Sequence, residues 1–98
     1  MAYKIIWAPS ALFDLRDIFS YIVESSPQNS VRFIKSIFRQ VEQLIDFPES
    51  GRVVPEFGDP RIREIIRKPC RIIYRLKSKN HVIEMVRIWH AARGLPGI

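Results

Sequence analysis

From Cys70 to Lys77 apolar and polar side chains alternate. Cys70, Ile72, Tyr74 and Leu76 fall on one side, and Arg71, Ile73, Arg75 and Lys77 on the other. A period of two predicts a strand with one apolar face and one strongly basic face. Lys77-Ser78-Lys79-Asn80 predicts a tight turn, with Asn80 the residue suited to a left-handed backbone. From Val82 to Trp89 the chain is nearly all β-branched or large apolar, which predicts a second strand ending at His90. A hairpin of this kind needs cover on its apolar face and presents the cationic one to a partner.

Upstream, Tyr3-Lys4-Ile5-Ile6-Trp7 is short, β-branched and aromatic, and predicts a first strand. Pro9 suits the first turn of a helix, where its missing N–H costs nothing. Leu12, Leu15, Ile18, Phe19, Ile22 and Val23 then recur at three- and four-residue steps, with Asp14, Asp17 and Glu24 assigned to the wet side, so a helix is predicted to about Glu24. Ser26 as cap and Pro27 as first helical residue open a second helix. Its stripe is read as Val31, Ile34, Ile37, Phe38, Val41, Leu44 and Ile45, over a helix of about 20 residues, roughly 30 Å long. The short link makes the two helices an antiparallel pair. Residues 48–60 carry three prolines and no period, and read as an irregular loop. Ile62 to Ile66 predicts a further strand before Lys68-Pro69. The tail Gly94 to Ile98 has no periodicity.

The expected fold is therefore α+β: a strand, a two-helix antiparallel hairpin, then a three-stranded antiparallel meander, with the helices packed on one face of a single sheet. Leu15, Ile22, Ile34, Phe38, Val41, Ile72, Tyr74 and Trp89 are expected to share the core. Phe38→Ala would then cost about 3–5 kcal/mol. On the last strand Met85 and Trp89 are placed toward the helices, which leaves His90 on the side of Arg71. Arg87 then has to reach past the sheet or pair with a helix carboxylate.

Ninety-eight residues imply one domain, residues 1–98. An apolar share of 47% supports a real core and argues against disorder. One cysteine allows no internal disulfide, and a cytoplasmic setting is expected. No signal peptide or membrane-crossing segment is read in the chain. The charge changes the picture more. Residues 1–50 hold five basic and six acidic side chains, whereas residues 51–98 hold eleven basic and four acidic. The excess thus lies on the half with the basic hairpin, and implies an anionic partner, either nucleic acid or an acidic protein segment. A merely solvated face is the alternative.

No phosphate-binding glycine loop, zinc spacing or nucleophile elbow is present, and no metal or cofactor is expected. His81 and His90 stand at opposite ends of one strand, about 30 Å apart at ~3.3 Å per residue. The second-half carboxylates Glu56, Asp59, Glu64 and Glu84 look scattered. What remains is a group of cations with one imidazole: Arg71 and Arg75 could hold a phosphate through guanidinium forks, with His90 moving a proton near neutral pH. The competing reading makes Arg71 and Arg75 ordinary strand residues and His90 a strand cap.

Several features resemble, in order and spacing, the RelE/ParE superfamily of toxins from bacterial type II toxin–antitoxin modules. They are the first strand and Pro9, Asp14-Leu15…Ile18…Tyr21-Ile22, Pro48…Gly51-Arg52, Cys70-Arg71-Ile72-Ile73-Tyr74-Arg75 and Ile88-Trp89-His90-Ala91-Ala92-Arg93. The resemblance covers nearly the whole chain and implies a toxin neutralised by a cognate antitoxin, often through a flexible acidic segment, with a dimer of toxin–antitoxin heterodimers as one assembly. It implies one of two activities. ParE-like members inhibit DNA gyrase by binding, and are often described as plasmid-stabilisation proteins. RelE-like members cleave mRNA on the ribosome without metal, using arginines, lysines and a C-terminal acid/base residue.

On the nuclease alternative the resemblance assigns catalysis to Arg71, His90 and Arg93. Target or antitoxin contact is expected from Arg67, Lys68, Arg71, Arg75 and Arg93. The ending Ala91-Ala92-Arg93-Gly94-Leu95-Pro96 lacks the tyrosine or lysine of the RelE-like ending, and the long paired helices resemble ParE. The ParE-like reading is therefore preferred. A degenerate member that binds antitoxin without toxicity is the third reading.

Overall fold

The computed structural model describes residues 2–94, 96 and 97. Its elements are β1 (Lys4–Trp7), α1 (Pro9–Ser25), α2 (Pro27–Gln43), β2 (Arg52–Val53), β3 (Ile62–Arg67), β4 (Cys70–Lys77) and β5 (Val82–His90). They form one five-stranded sheet in the order β1-β5-β4-β3-β2. β1 lies parallel to β5 and the other neighbours are antiparallel, so β3–β4–β5 is the expected meander. The α1–α2 hairpin packs on one face.

The helix link follows its local chemistry. Pro27 is the first residue of α2, and the Ser26 hydroxyl accepts from the Asn29 amide at 3.3 Å. α1 has no side-chain cap. Its start is instead tied to β5: the Ala8 amide donates to the Met85 carbonyl at 2.9 Å and the Ser10 hydroxyl to the Val86 carbonyl at 2.6 Å.

The main core lies between the helices and the sheet. Ala11, Leu15, Phe33, Ile37, Val41 and Leu44 meet Ile72, Tyr74, Leu76, Ile83, Met85 and Ile88. Both helix stripes differ from the sequence expectation. On α1, Asp14 is only 3% exposed while Leu12 and Phe19 are exposed. On α2 the inward line is Ser30, Phe33, Ile37 and Val41, and Phe38 is 42% exposed. Apolar pairs at 33–34 and 37–38 offer two stripes about 100° apart, and periodicity cannot choose between them. Packing selects the one that carries Ser30, which is fully buried with its hydroxyl donating to the Pro27 carbonyl at 2.6 Å. Phe38 instead packs against Trp7, with ring centroids 5.2 Å apart and the planes tilted by 58°.

The other face of β4 is not simply basic. Ile73 is fully buried there with Val54 and Val86, under Ile62 and Trp89. Within the loop expected to be irregular, Arg52–Val53 pairs with Glu64 and Arg63. The loop's start is fixed by Tyr74, whose hydroxyl accepts from the Gly51 amide and donates to the Pro48 carbonyl, both at 2.9 Å. A Cβ at Gly51 would stand 2.5 Å from that hydroxyl, so the close approach requires glycine. At the hairpin tip Ser78–Asn80 forms a 3-10 turn, and the left-handed residue is His81 (φ 53°), not Asn80. The extra turn displaces the left-handed position by one residue, and His81 sits edge-on to Tyr3 at 5.3 Å.

One irregularity reorders the end of β5. Tyr74 pairs with Met85 but Ile73 with Arg87, leaving Val86 as a bulge. The inserted residue inverts the alternation that follows. Met85 and Ile88 both enter the main core, and Trp89 joins the opposite cluster across from Arg71. His90 pairs with Cys70 on the helix side. The placement of Trp89 toward the helices, and of His90 beside Arg71, is thereby overturned.

Candidate binding site

The residues singled out from the sequence separate into three places. Arg67, Lys68, His90 and Arg93 come together along a groove of about 680 Å³ between α1, the start of α2 and the β3–β4 turn. Ile18, Tyr21, Ile22 and Phe33 give it an apolar wall. Arg67 lies over the Phe33 ring at 4.7 Å, with its Nε donating to the Ser36 hydroxyl at 2.8 Å and its Nη1 to the Lys68 carbonyl at 2.9 Å. Arg93 donates to Asp17 at 3.0 Å, and its guanidinium stands 5.7 Å from the Trp89 ring. His90 accepts the Ala92 amide on Nδ1 at 3.1 Å, so the neutral ring carries its proton on Nε2. Cys70 is buried at the base of the groove, and burial pushes its thiol pKa up, which makes it a poor nucleophile.

Arg71 stands on the other face, in a network of its own. Its Nε donates to Glu64 at 2.5 Å, and Nη1 and Nη2 donate to the two Glu56 oxygens at 2.7 Å each. Glu64 is 1% exposed and also accepts Arg52 Nε at 2.6 Å. The Arg71 fork holds the Glu56 carboxyl well below its usual range, at about 2, and the two carboxylates in turn raise the Arg71 pKa. A second groove of about 580 Å³ opens beside this cluster. Arg75 lies further along β4, paired at 3.1 Å with Glu84, which also meets Lys77 at 3.5 Å.

Arg87 adopts the second of the two routes open to it. Its Nε and Nη2 donate to Asp14 at 2.7 and 3.0 Å, and the Ile88 amide donates to the same carboxylate at 2.9 Å. Trp89 stacks beneath the guanidinium at 4.7 Å. The Asp14 carboxylate raises the Arg87 pKa. Asp14, Glu56 and Glu64 are the residues that sequence reasoning missed. The acids and arginines are visible in the sequence, but their partnership depends on strand register and on a loop closing over β4.

A family model described as ParE toxin of type II toxin-antitoxin system, parDE, matches residues 5–95. Toxin RelE2 of Caulobacter vibrioides is 31% identical over 90 residues, covering 92% of this chain and 97% of the relative. Among solved structures, a chain of the chromosomal ParDE toxin–antitoxin system from P. aeruginosa superposes with a TM-score of 0.70. It is 26% identical, and the match covers 90% of this chain and 95% of that one. A chain of the RelBE2 toxin–antitoxin complex of Mycobacterium tuberculosis has the same fold, with a TM-score of 0.62 at 16% identity over 92% of this chain and 99% of that one. The chain belongs to the ParE toxin family of type II toxin–antitoxin systems, within the RelE/ParE superfamily.

Proposed function

We propose that this toxin acts by binding DNA gyrase and blocking its reaction, and that a cognate antitoxin with an acidic segment neutralises it. The observation that carries this reading is the separation of Arg71 from His90. A metal-independent ribonuclease needs a cation on the scissile phosphate and a proton shuttle within hydrogen-bond reach of the same centre. Here the Arg71 fork is filled by Glu56 and Glu64, and His90 stands on the opposite face of the sheet beside Cys70. The ParE family match and the likeness to the P. aeruginosa ParDE system favour the ParE-like reading, for which the family resemblance implies gyrase. The basic second half and the mixed apolar and cationic groove along Arg67, Lys68 and Arg93 support an acidic antitoxin.

The RNA-cleaving reading draws on a different observation, the presence of His90 in one groove with Arg67, Lys68 and Arg93. A supercoiling assay with purified gyrase, run beside a purified translation system, separates the two. Gyrase inhibition that survives His90→Ala, with mRNA intact, is expected. Codon-specific mRNA cuts with gyrase untouched would overturn the proposal.

A further inference from the structure

The Arg71 guanidinium has a permanent edge and an exchangeable one. Its Nε edge meets Glu64, a side chain with no exposed surface that Arg52 grips from the other side. Its outer fork meets Glu56, an exposed residue on the irregular loop between β2 and β3. That fork is the only ion pair Glu56 makes among the described residues. The pair stands at the second groove, whose other walls are largely apolar: Pro55, Pro69, Ala91 and Ile66, the last 43% exposed. Lys68 lies at the same groove and makes no ion pair among the described residues. β3 continues past Glu64 to Arg67, while β2 pairs only with Arg63 and Glu64.

We propose that this groove docks an acidic, apolar-containing peptide segment of a partner protein, whose carboxylate displaces Glu56 from the Arg71 fork. Glu56 is the groove's internal competitor. The inference rests on the antitoxin half of the function proposed above and is independent of the gyrase half. A guanidinium fork favours a planar two-oxygen acid, and Glu56 already displays that chemistry in place. An incoming carboxylate restores the pair that Glu56 gives up, so the exchange itself is nearly balanced. Net affinity then comes from Lys68, from apolar contact with Ile66 and from the unpaired β3 edge, which can accept an extended segment. A nucleic-acid backbone fits less well, because it is held by several free cations and has no use for an apolar floor.

The test is a fluorescence-anisotropy titration at low salt with a short labelled peptide of alternating leucine and glutamate. A leucine–glutamine peptide and labelled oligo(dT) serve as comparisons. Glu56→Gln, which removes the competitor's charge, is expected to tighten leucine–glutamate binding about tenfold, the effect of losing one modest charge-assisted pair. Adding Arg71→Lys should abolish that gain, and Lys68→Ala should weaken binding several-fold. In wild-type protein, saturating peptide should move the Glu56 carboxyl titration upward from about 2, as read by carbon NMR on the side chain. Equal affinity of wild type and Glu56→Gln for the peptide would overturn the proposal. So would a gain seen with oligo(dT) and not with the peptide. The gyrase assay reads a separate property, so neither result stands in for the other.

Discussion

Asp14 and Glu64 are both acids that packing takes out of water, and both are held by arginine, yet they do different work. Asp14 joins a helix to the end of β5: it accepts Arg87 through two nitrogens and the Ile88 amide besides, just past the Val86 bulge. Glu64 joins strands of one sheet, β3 to β4 through Arg71 and to β2 through Arg52. The contacts of Asp14 all run to β5, from a carboxylate that is itself 3% exposed. The Glu64 cluster ends instead in an exposed member, Glu56, that can leave. A buried ion pair is poor ground for inferring function when all its members are enclosed. It becomes a candidate site where one member is solvent-facing and replaceable.

The largest effect is expected at Asp14. Asp14→Ala leaves Arg87 and the Ile88 amide without their partner, and should cost about 3–5 kcal/mol in denaturant unfolding. A loss near zero would remove the distinction between the two acids. Glu64→Gln keeps the shape and one acceptor but loses the charge between two arginines, and should cost about 1.5–3 kcal/mol. A cost above that of Asp14→Ala would reverse the comparison and make the strand cluster the main tie. Phe38→Ala, at a half-exposed site, should cost about 1 kcal/mol, set by its contact with Trp7.

The smallest effect belongs to Glu56 and is read through pH. Its carboxyl is shifted from 4.5 down to about 2 by the Arg71 fork. A carboxylate with a depressed folded-state pKa contributes stability that is fully present above its unfolded value and lost as pH falls through the folded one. The contribution should therefore be complete above pH 4.5 and disappear between there and about 2. Glu56→Gln should flatten this part of the stability–pH curve by lowering the plateau above pH 4.5 toward the acid value, a small drop because the pair is solvent-screened. An unaltered curve would place the acid dependence elsewhere, with Asp59 beside Arg61 the next group lowered to about 2.

Much of the fold was legible in the sequence because period-two and helical patterns report the type and extent of each long element. The alternation of Cys70, Ile72, Tyr74 and Leu76, the Ser26-Pro27 helix start and the strand–helix–helix–meander order all appear as read. The site was legible only in part. Arg67, Lys68, His90 and Arg93 line one groove, whereas Arg71 shares only Lys68 with them, across a second groove, and Arg75 lies further along β4.

By itself, the sequence determined where the chain forms its two helices and its four longer strands, and that its positive charge lies in the second half, because these depend on residues close in sequence. Tertiary structure alone decided which of two adjacent apolar stripes α2 buries, since Phe33 and Phe38 are equally hydrophobic and only packing against the rest of the core separates them. It also decided the faces of Trp89 and His90, because one bulged residue at Val86 inverts every side chain after it. Finally, it decided that Arg71 is already occupied. Arg71 meets Glu64 by strand register and Glu56 by loop closure, and neither can be read from the spacing of charges along the chain.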